Sequence, residues 1–194
     1  MNIFNKKFTI LFLLGVFTLV SFAQEQQKEM SPEQKAWMEY MQPGEMHKML
    51  EKDSGKWKTI TKYWMYSGAE PQITKGEENS KMIMGDRYRQ SMFTGTAMGM
   101  PFEGMSLEGF DNATQEFTSI WIDNLGTGTA VAKGKYNPEN KTISYLGSMI
   151  DPISKKEIKF KEVVTLTNDS TRKMEMFMGE GEKEFKSMEI IFTR

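Results

Sequence analysis

Cysteine is absent from the 194 residues and histidine occurs once. The first absence excludes a disulfide-stapled scaffold, a thiolate metal site and a lipid anchor on a processed cysteine, so stability has to come from packing. The second leaves His47 as the sole imidazole, flanked by Met46 and Lys48, with no nucleophile signature or carboxylate pair beside it. Triad hydrolysis and histidine-based metal hydrolysis therefore have nothing to work with, and His47 reads as a packing or surface residue. One imidazole suffices for a five-coordinate haem iron, but no cofactor is expected. Charge of one sign is missing too: 25 Lys and Arg face 26 Asp and Glu, interspersed, which gives nucleic acid no footprint. The glycines of "GTAMGMPFEGMSLEG" lack the following helix that a phosphate loop requires.

Long hydrophobic runs are also absent, apart from "FTILFLLGVFTLV" near the start. That run is short of the roughly 18 to 20 residues a span requires. With the basic "MNIFNKK" before it and Ser21-Phe22-Ala23 after it, it reads as a secretory signal over 1–23. The mature chain then starts at Gln24 with 171 residues (194 minus 23), enough for one domain, and its formal charge falls from −1 to −3 with the loss of Lys6 and Lys7. A periplasmic or secreted protein with no membrane span is the expectation.

What is present divides into two textures. Residues 24–42 form a helical extension: Ser31-Pro32-Glu33-Gln34 supplies a capping residue, proline at the first helical position and Gln three residues on. After Pro43-Gly44, "EMHKMLEK" places Met46, Met49 and Leu50 on one face, so this short helix packs against something larger. From Trp57 onward the chain reads as ten strands, 57–66, 73–83, 87–96, 102–110, 115–122, 127–136, 141–150, 157–167, 171–179 and 183–193, separated by turn chemistry such as "DNAT", "NPEN" and "NDS". Short connections force antiparallel pairing of sequence neighbours, because a parallel crossover needs a dozen or more residues. An open ten-strand meander would expose two long edges, so the fold predicted for 43–194 is mainly β, a closed antiparallel up-and-down barrel with one or two short N-terminal helices. Closure brings the start of the first strand beside the end of the last, where the Arg194 guanidinium can stack over the Trp57 indole for about 0.5 to 2 kcal/mol.

Several stretches carry a resemblance: "PGEMHKMLEKDSGKWKTITKYW", "GDRY", "GMPFEGMSLEGFDNATQEFTSIWIDNLGTG", "DPISKKEIKFKEV" and "KSMEIIFTR". They resemble the bacterial family known as domain of unknown function 1579, over 43–194. Pro101-Phe102-Glu103-Gly104, Gly109-Phe110-Asp111-Asn112 and Trp121-x-Asp123-Asn124 are its most specific pieces. The family is similar in outline to calycin barrels, where the lipocalin Gly-x-Trp signature occurs. The chain departs from the usual pattern with Phe110 in place of Tyr and Lys155-Lys156 in place of Gly-Lys. The resemblance implies a barrel and supplies no catalytic residues.

A ten-strand barrel leaves interior room for a ligand. If Trp57 points inward, Thr59, Thr61, Tyr63 and Met65 follow it and give an amphipathic lining. Trp121 and Asp123 together suit a polar head group, although Asp111-Asn112 and Asp123-Asn124 equally suit turns that satisfy local backbone donors. Arg87 and Arg89 alternate on one strand face and Glu162 alternates with Phe160 and Val164; inside a barrel these charges either bind an anion such as a fatty-acid carboxylate or pair with one another. The 18 methionines include Met82-x-Met84, Met98-x-Met100 and Met174-x-Met176-x-Met178. With His47 they compose an alternative Cu(I) set, whereas as adaptable filler they line a pocket for varied apolar molecules. The leading reading is a non-enzymatic exported protein that binds or carries a small apolar or amphipathic molecule. Periplasmic copper handling is the alternative, and a barrel enzyme acting on a lipid-like substrate is the second.

Overall fold

The computed structural model describes residues 29–194; the signal-peptide reading of 1–23 lies outside them. By compactness the chain divides into 1–39 and 40–194. Helix α1 (Pro32–Met41) carries the predicted reciprocal cap: the Gln34 backbone N–H donates to Ser31 Oγ at 3.3 Å, and the Ser31 N–H donates to Gln34 Oε1 at 2.9 Å. Helix α2 (Glu45–Lys52) follows Gly44 and buries His47 and Leu50, with Met46 and Met49 partly buried on the same side. That face lies against the second, third and fourth strands.

Ten strands follow: β1 (Gly55–Tyr63), β2 (Gln72–Ile83), β3 (Tyr88–Ala97), β4 (Met100–Asp111), β5 (Glu116–Asp123), β6 (Ala130–Asn137), β7 (Thr142–Ile150), β8 (Glu157–Asn168), β9 (Thr171–Met178) and β10 (Phe185–Thr193). Each pairs antiparallel with its sequence neighbours, and β1 pairs with β10 from Lys58↔Thr193 to Tyr63↔Met188, so the sheet is a closed barrel. The predicted fold is the observed one. Most ends agree within two residues. One hairpin differs: the turn is the pair Met98-Gly99, with φ of 51° and 77°, and Pro101 is already in β4 opposite Thr96. Two successive positive φ values give the turn whose twist matches the strands, so the chain reverses before the proline rather than at it.

Alternation puts one residue in two inside. Trp57 and Thr59, Glu78 and Ser80, Arg89 and Ser91, Ile143 and Tyr145, and Ile190 and Phe192 are buried, and the residues between them face out. The apolar core fills the end of the lumen beside α2. Leu50 packs there with Phe117, Ala132, Ile143, Tyr145 and Phe160, and Trp57 with Ile190 and Phe192. At the seam the Arg194 guanidinium lies over the Trp57 ring at 4.1 Å and donates to the carbonyls of Asp169 (2.7 Å), Ser54 (2.8 Å) and Lys52 (3.1 Å). The last residue of the chain thus ties β10 to the α2–β1 junction.

Lys155, in the turn after Asp151, has φ of 58°. A glycine there would avoid the Cβ cost of that conformation. The loop tolerates lysine because Asp151 organises it: its carboxylate accepts from the Ile153 and Ser154 N–H groups at 3.1 Å each and from the Ser154 hydroxyl at 2.5 Å.

Arg194→Ala removes the indole stack and three carbonyl contacts at the closing seam. It is expected to lower unfolding free energy by roughly 2 kcal/mol, read from urea midpoints at constant slope. A change under about 0.5 kcal/mol, the level of an ordinary surface substitution, would contradict a structural role for the stack.

Candidate functional site

The α2 end of the lumen holds a chain of buried charges. Asp53 lies between α2 and β1 as the C-cap of the helix, its N–H donating to the Met49 carbonyl at 3.1 Å. Its Oδ2 accepts from Arg89 on β3 and from Arg172 on β9. Arg89 also donates to Glu108 on β4, Arg172 to Glu78 on β2, and the Tyr145 hydroxyl on β7 to the other oxygen of Glu108. Arg172 lies over Phe192 at 4.2 Å and near Trp57 at 4.8 Å. Removing such groups from water is costly, and only mutual pairing with satisfied donors offsets it.

That pairing decides the anion reading. Both terminal nitrogens of Arg89 are held by internal carboxylates, so no fatty-acid carboxylate is received there; the ion-pair alternative is what the fold contains. Arg87 is not on the same face. It precedes β3 in the turn after Ile83 and donates to the carbonyls of Met41, Met84 and Gly85. There it lines an outer groove of about 410 Å³, away from the lumen.

Glu162 on β8 does face inward. It pairs in register with Tyr145 on β7 and Met176 on β9, both inward residues. It makes no hydrogen bond or ion pair with any described residue, and part of its surface stays accessible. Burial, reinforced by the Glu108 charge and opposed by Arg89, pushes its pKa up to about 7. The same burial, with Glu108 nearby, raises the Tyr145 phenol well above its ordinary value, so it remains a donor. Desolvation draws Arg172 down. For Arg89 desolvation acts in the same sense, but Glu108 and Asp53 outweigh it and the group is raised. Among the described residues three buried atoms have no partner: Glu78 Oε1, Arg89 Nε and Ser91 Oγ. All three side chains belong to inward positions of β2 and β3.

At the other end of the barrel a recess of about 870 Å³ opens to solvent, lined by Tyr63, Met149, Ile158, Met176, Met178 and Met188 among others. Met176 and Met188 are direct register partners. The recess stops at Met176, beside which Glu162 lies on the neighbouring strand. Tyr63 closes one side, donating from its hydroxyl to Gln72 Oε1 at 2.5 Å.

Trp121 and Asp123 serve the wall. The indole Nε1–H donates to Asp123 Oδ2 at 2.7 Å, Asp123 Oδ1 accepts from the Leu125 N–H at 2.9 Å, and Asn124 exchanges bonds with Glu103 and Pro101. The indole also covers Gly104 so closely that a Cβ there would stand 2.6 Å from the ring. Two of the three most specific sequence motifs therefore stitch the start of β4 to the end of β5, and both Asp123 oxygens are engaged in holding that junction.

The methionine readings divide similarly. Met84 and Met98 are exposed turn residues, so Met82-x-Met84 and Met98-x-Met100 do not converge. Met174 packs beside Trp57 and Ile190, whereas Met176 and Met178 reach the recess. His47 is buried in α2, its Nδ1 accepting from the Gly44 N–H at 3.0 Å and its ring edge-on to Phe110. Desolvation lowers its pKa, consistent with a neutral packing imidazole. The set Met174, Met176, Met178 and His47 is thus not one site. Among the described residues no group of three or more His, Cys, Asp or Glu is arranged to hold a metal ion.

Sequence reading missed Asp53, Glu78, Glu108, Arg172 and Tyr145 as lumen residues. Arg172 shares the alternating face of Met174, Met176 and Met178, and Glu108 that of Phe110, so the signal was parity; which parity points inward was not visible. Comparison with known proteins gives three findings. The family model described as protein of unknown function (DUF1579) matches residues 42–194. The crystal structure of Rv2717c from M. tuberculosis is similar with TM-score 0.59 and 13 % identity, covering 79 % of this chain and 99 % of that one, a likeness of fold alone. No curated protein matches the chain.

The raised Glu162 makes stability fall with pH. The unfolded chain releases this proton near 4.5 and the folded one near 7, so the contribution is complete below 4.5 and is lost as pH rises to 7. The loss is on the order of 3 kcal/mol. Glu162→Gln should flatten the decline between pH 5 and pH 8 in urea unfolding; parallel profiles for the two proteins would contradict the assignment.

Proposed function

The chain belongs to the DUF1579 family, and within that family we propose that it is an exported, non-enzymatic protein that binds or carries a small apolar or amphipathic molecule. The observation that carries this reading is the recess at the open end of a calycin-like barrel, of about 870 Å³ and lined largely by thioethers and aromatic rings. That volume is in the range of small-molecule sites, about 300 to 1,000 Å³. Methionine lines it suitably, because three rotatable bonds and a polarizable sulfur adapt to ligands of different outline. The other end is stoppered by α2, so a ligand enters where β1 ends and β10 begins. Export rests on the 1–23 segment, with a mature N-terminus at Gln24. No helix among the described residues is long and apolar enough to cross a membrane.

A second reading draws on the same lining. Met65, Met149, Met176, Met178 and Met188 bring five thioethers to one recess, and soft sulfur donors suit Cu(I). Competition between copper(I) and an organic probe would distinguish metal from organic cargo.

The test is binding of N-phenyl-1-naphthylamine, whose fluorescence rises in an apolar site. Met176→Trp, which fills the inner end of the recess, is expected to weaken the probe by about tenfold or more, equivalent to roughly 1.4 kcal/mol. Met92→Trp on the outer wall should leave it unchanged. No uptake by the native protein, or equal uptake by Met176→Trp, would defeat the reading.

A further inference from the structure

The interior charges do not balance. Asp53, Glu78 and Glu108 supply three carboxylates against the guanidiniums of Arg89 and Arg172, leaving one negative charge, and Glu162 adds a fourth acid with no guanidinium of its own. A fifth possible acid, Tyr145, is a donor committed to Glu108. The surplus is therefore acidic, and it lies next to the recess: Glu162 stands beside Met176, the innermost thioether of the lining. Independently of the count, Glu78 and Ser91 are each 1 % exposed and each presents an oxygen into the barrel with no partner, against a single unpartnered donor, Arg89 Nε. Unpaired buried acceptors are costly, and a cation or strong donor relieves them.

Resting on the reading of the recess as a ligand site, we propose that the preferred ligand is a cationic amphiphile, its apolar tail among Met149, Met176, Met178 and Met188 and its ammonium head against the Glu162 carboxylate. A carboxylate head is disfavoured there, because Glu162 and Glu108 repel it and the terminal nitrogens of both arginines are already held by internal acids. A neutral head leaves the acidic surplus uncompensated. An ammonium supplies three donors and places its charge among Glu162, Glu108 and Tyr145 from β8, β4 and β7, opposed by Arg89 from β3, while Lys159 and Lys183 along the recess are offset by Glu157 and Glu180. Met176, the register partner of Glu162 on the neighbouring strand, is a flexible thioether that can yield to a head group.

The experiment compares dodecylammonium, dodecanol and dodecanoate as competitors of N-phenyl-1-naphthylamine on the full chain at pH 8, where Glu162 is ionised. The three share a tail, so differences report the head alone. Dodecylammonium is expected to bind about tenfold or more tighter than dodecanoate, the range of a charge-assisted hydrogen bond in a protein interior. In Glu162→Gln that discrimination should collapse to within about threefold, while Glu139→Gln, in the exposed β6–β7 turn, should retain it. Thermal melting establishes that both variants are folded, and the native protein's own ranking is decisive if Glu162→Gln is not. Equal affinity for the three molecules, or preference for dodecanoate, would overturn the head-group assignment and leave the carrier reading standing. Failure of all three to displace the probe, with no probe uptake, would remove the carrier reading itself.

Discussion

Two guanidiniums from strands separated by three others, Arg89 on β3 and Arg172 on β9, meet at the one carboxylate of Asp53. Asp53 is also the last turn of α2 and the acceptor, through its carbonyl, of the Trp57 indole N–H at 3.1 Å. One residue therefore fixes the helix that stoppers the barrel, the strand that opens the sheet and the two arginines that reach across the lumen. A charge buried in this way persists only with its partners in place, so the network demands that α2, β1, β3 and β9 assemble together. The helical plug is not an ornament on a finished barrel; it contributes the acid that the barrel's arginines require.

That constraint gives the interior its two zones. Near α2 the lumen is filled by rings and paired charges. Beyond Met176 the recess opens, lined by thioethers and by the rings of Tyr63, Trp64 and Phe185. Glu162 stands at the boundary, close enough to Glu108 to feel its charge yet beyond the reach of either arginine's donors. The polar floor and the apolar mouth are consequences of which rung of the barrel each inward residue occupies.

The wall repeats the lesson on a smaller scale. The motifs that make the chain recognisable, around Gly104 and Trp121, lock one strand end to another through an indole lying on a glycine and an amide bridging two backbones. Residues that distinguish the family are engaged in holding its hairpins together. The residues with unmet chemistry, Glu162, Glu78 and Ser91, lie in stretches of no special texture.

Sequence by itself determined the number of strands, their meander, closure at Trp57 and Arg194, and the amphipathic helix beside it, because each of these follows from local periodicity, turn chemistry and the cost of open edges. It also placed Arg89, Glu162 and Tyr63 on alternating faces. What tertiary structure alone decided was the sense of that alternation and the height of each residue along the barrel. Parity names two faces without saying which is inside, and the partners of a buried charge come from strands scores of residues away, as Arg172 and Glu78 do. The same geometry moved Arg87 to a turn, committed Asp123 to its neighbours and gathered methionines from β7, β9 and β10 into one recess, since convergence is a property of a closed surface and not of a linear string.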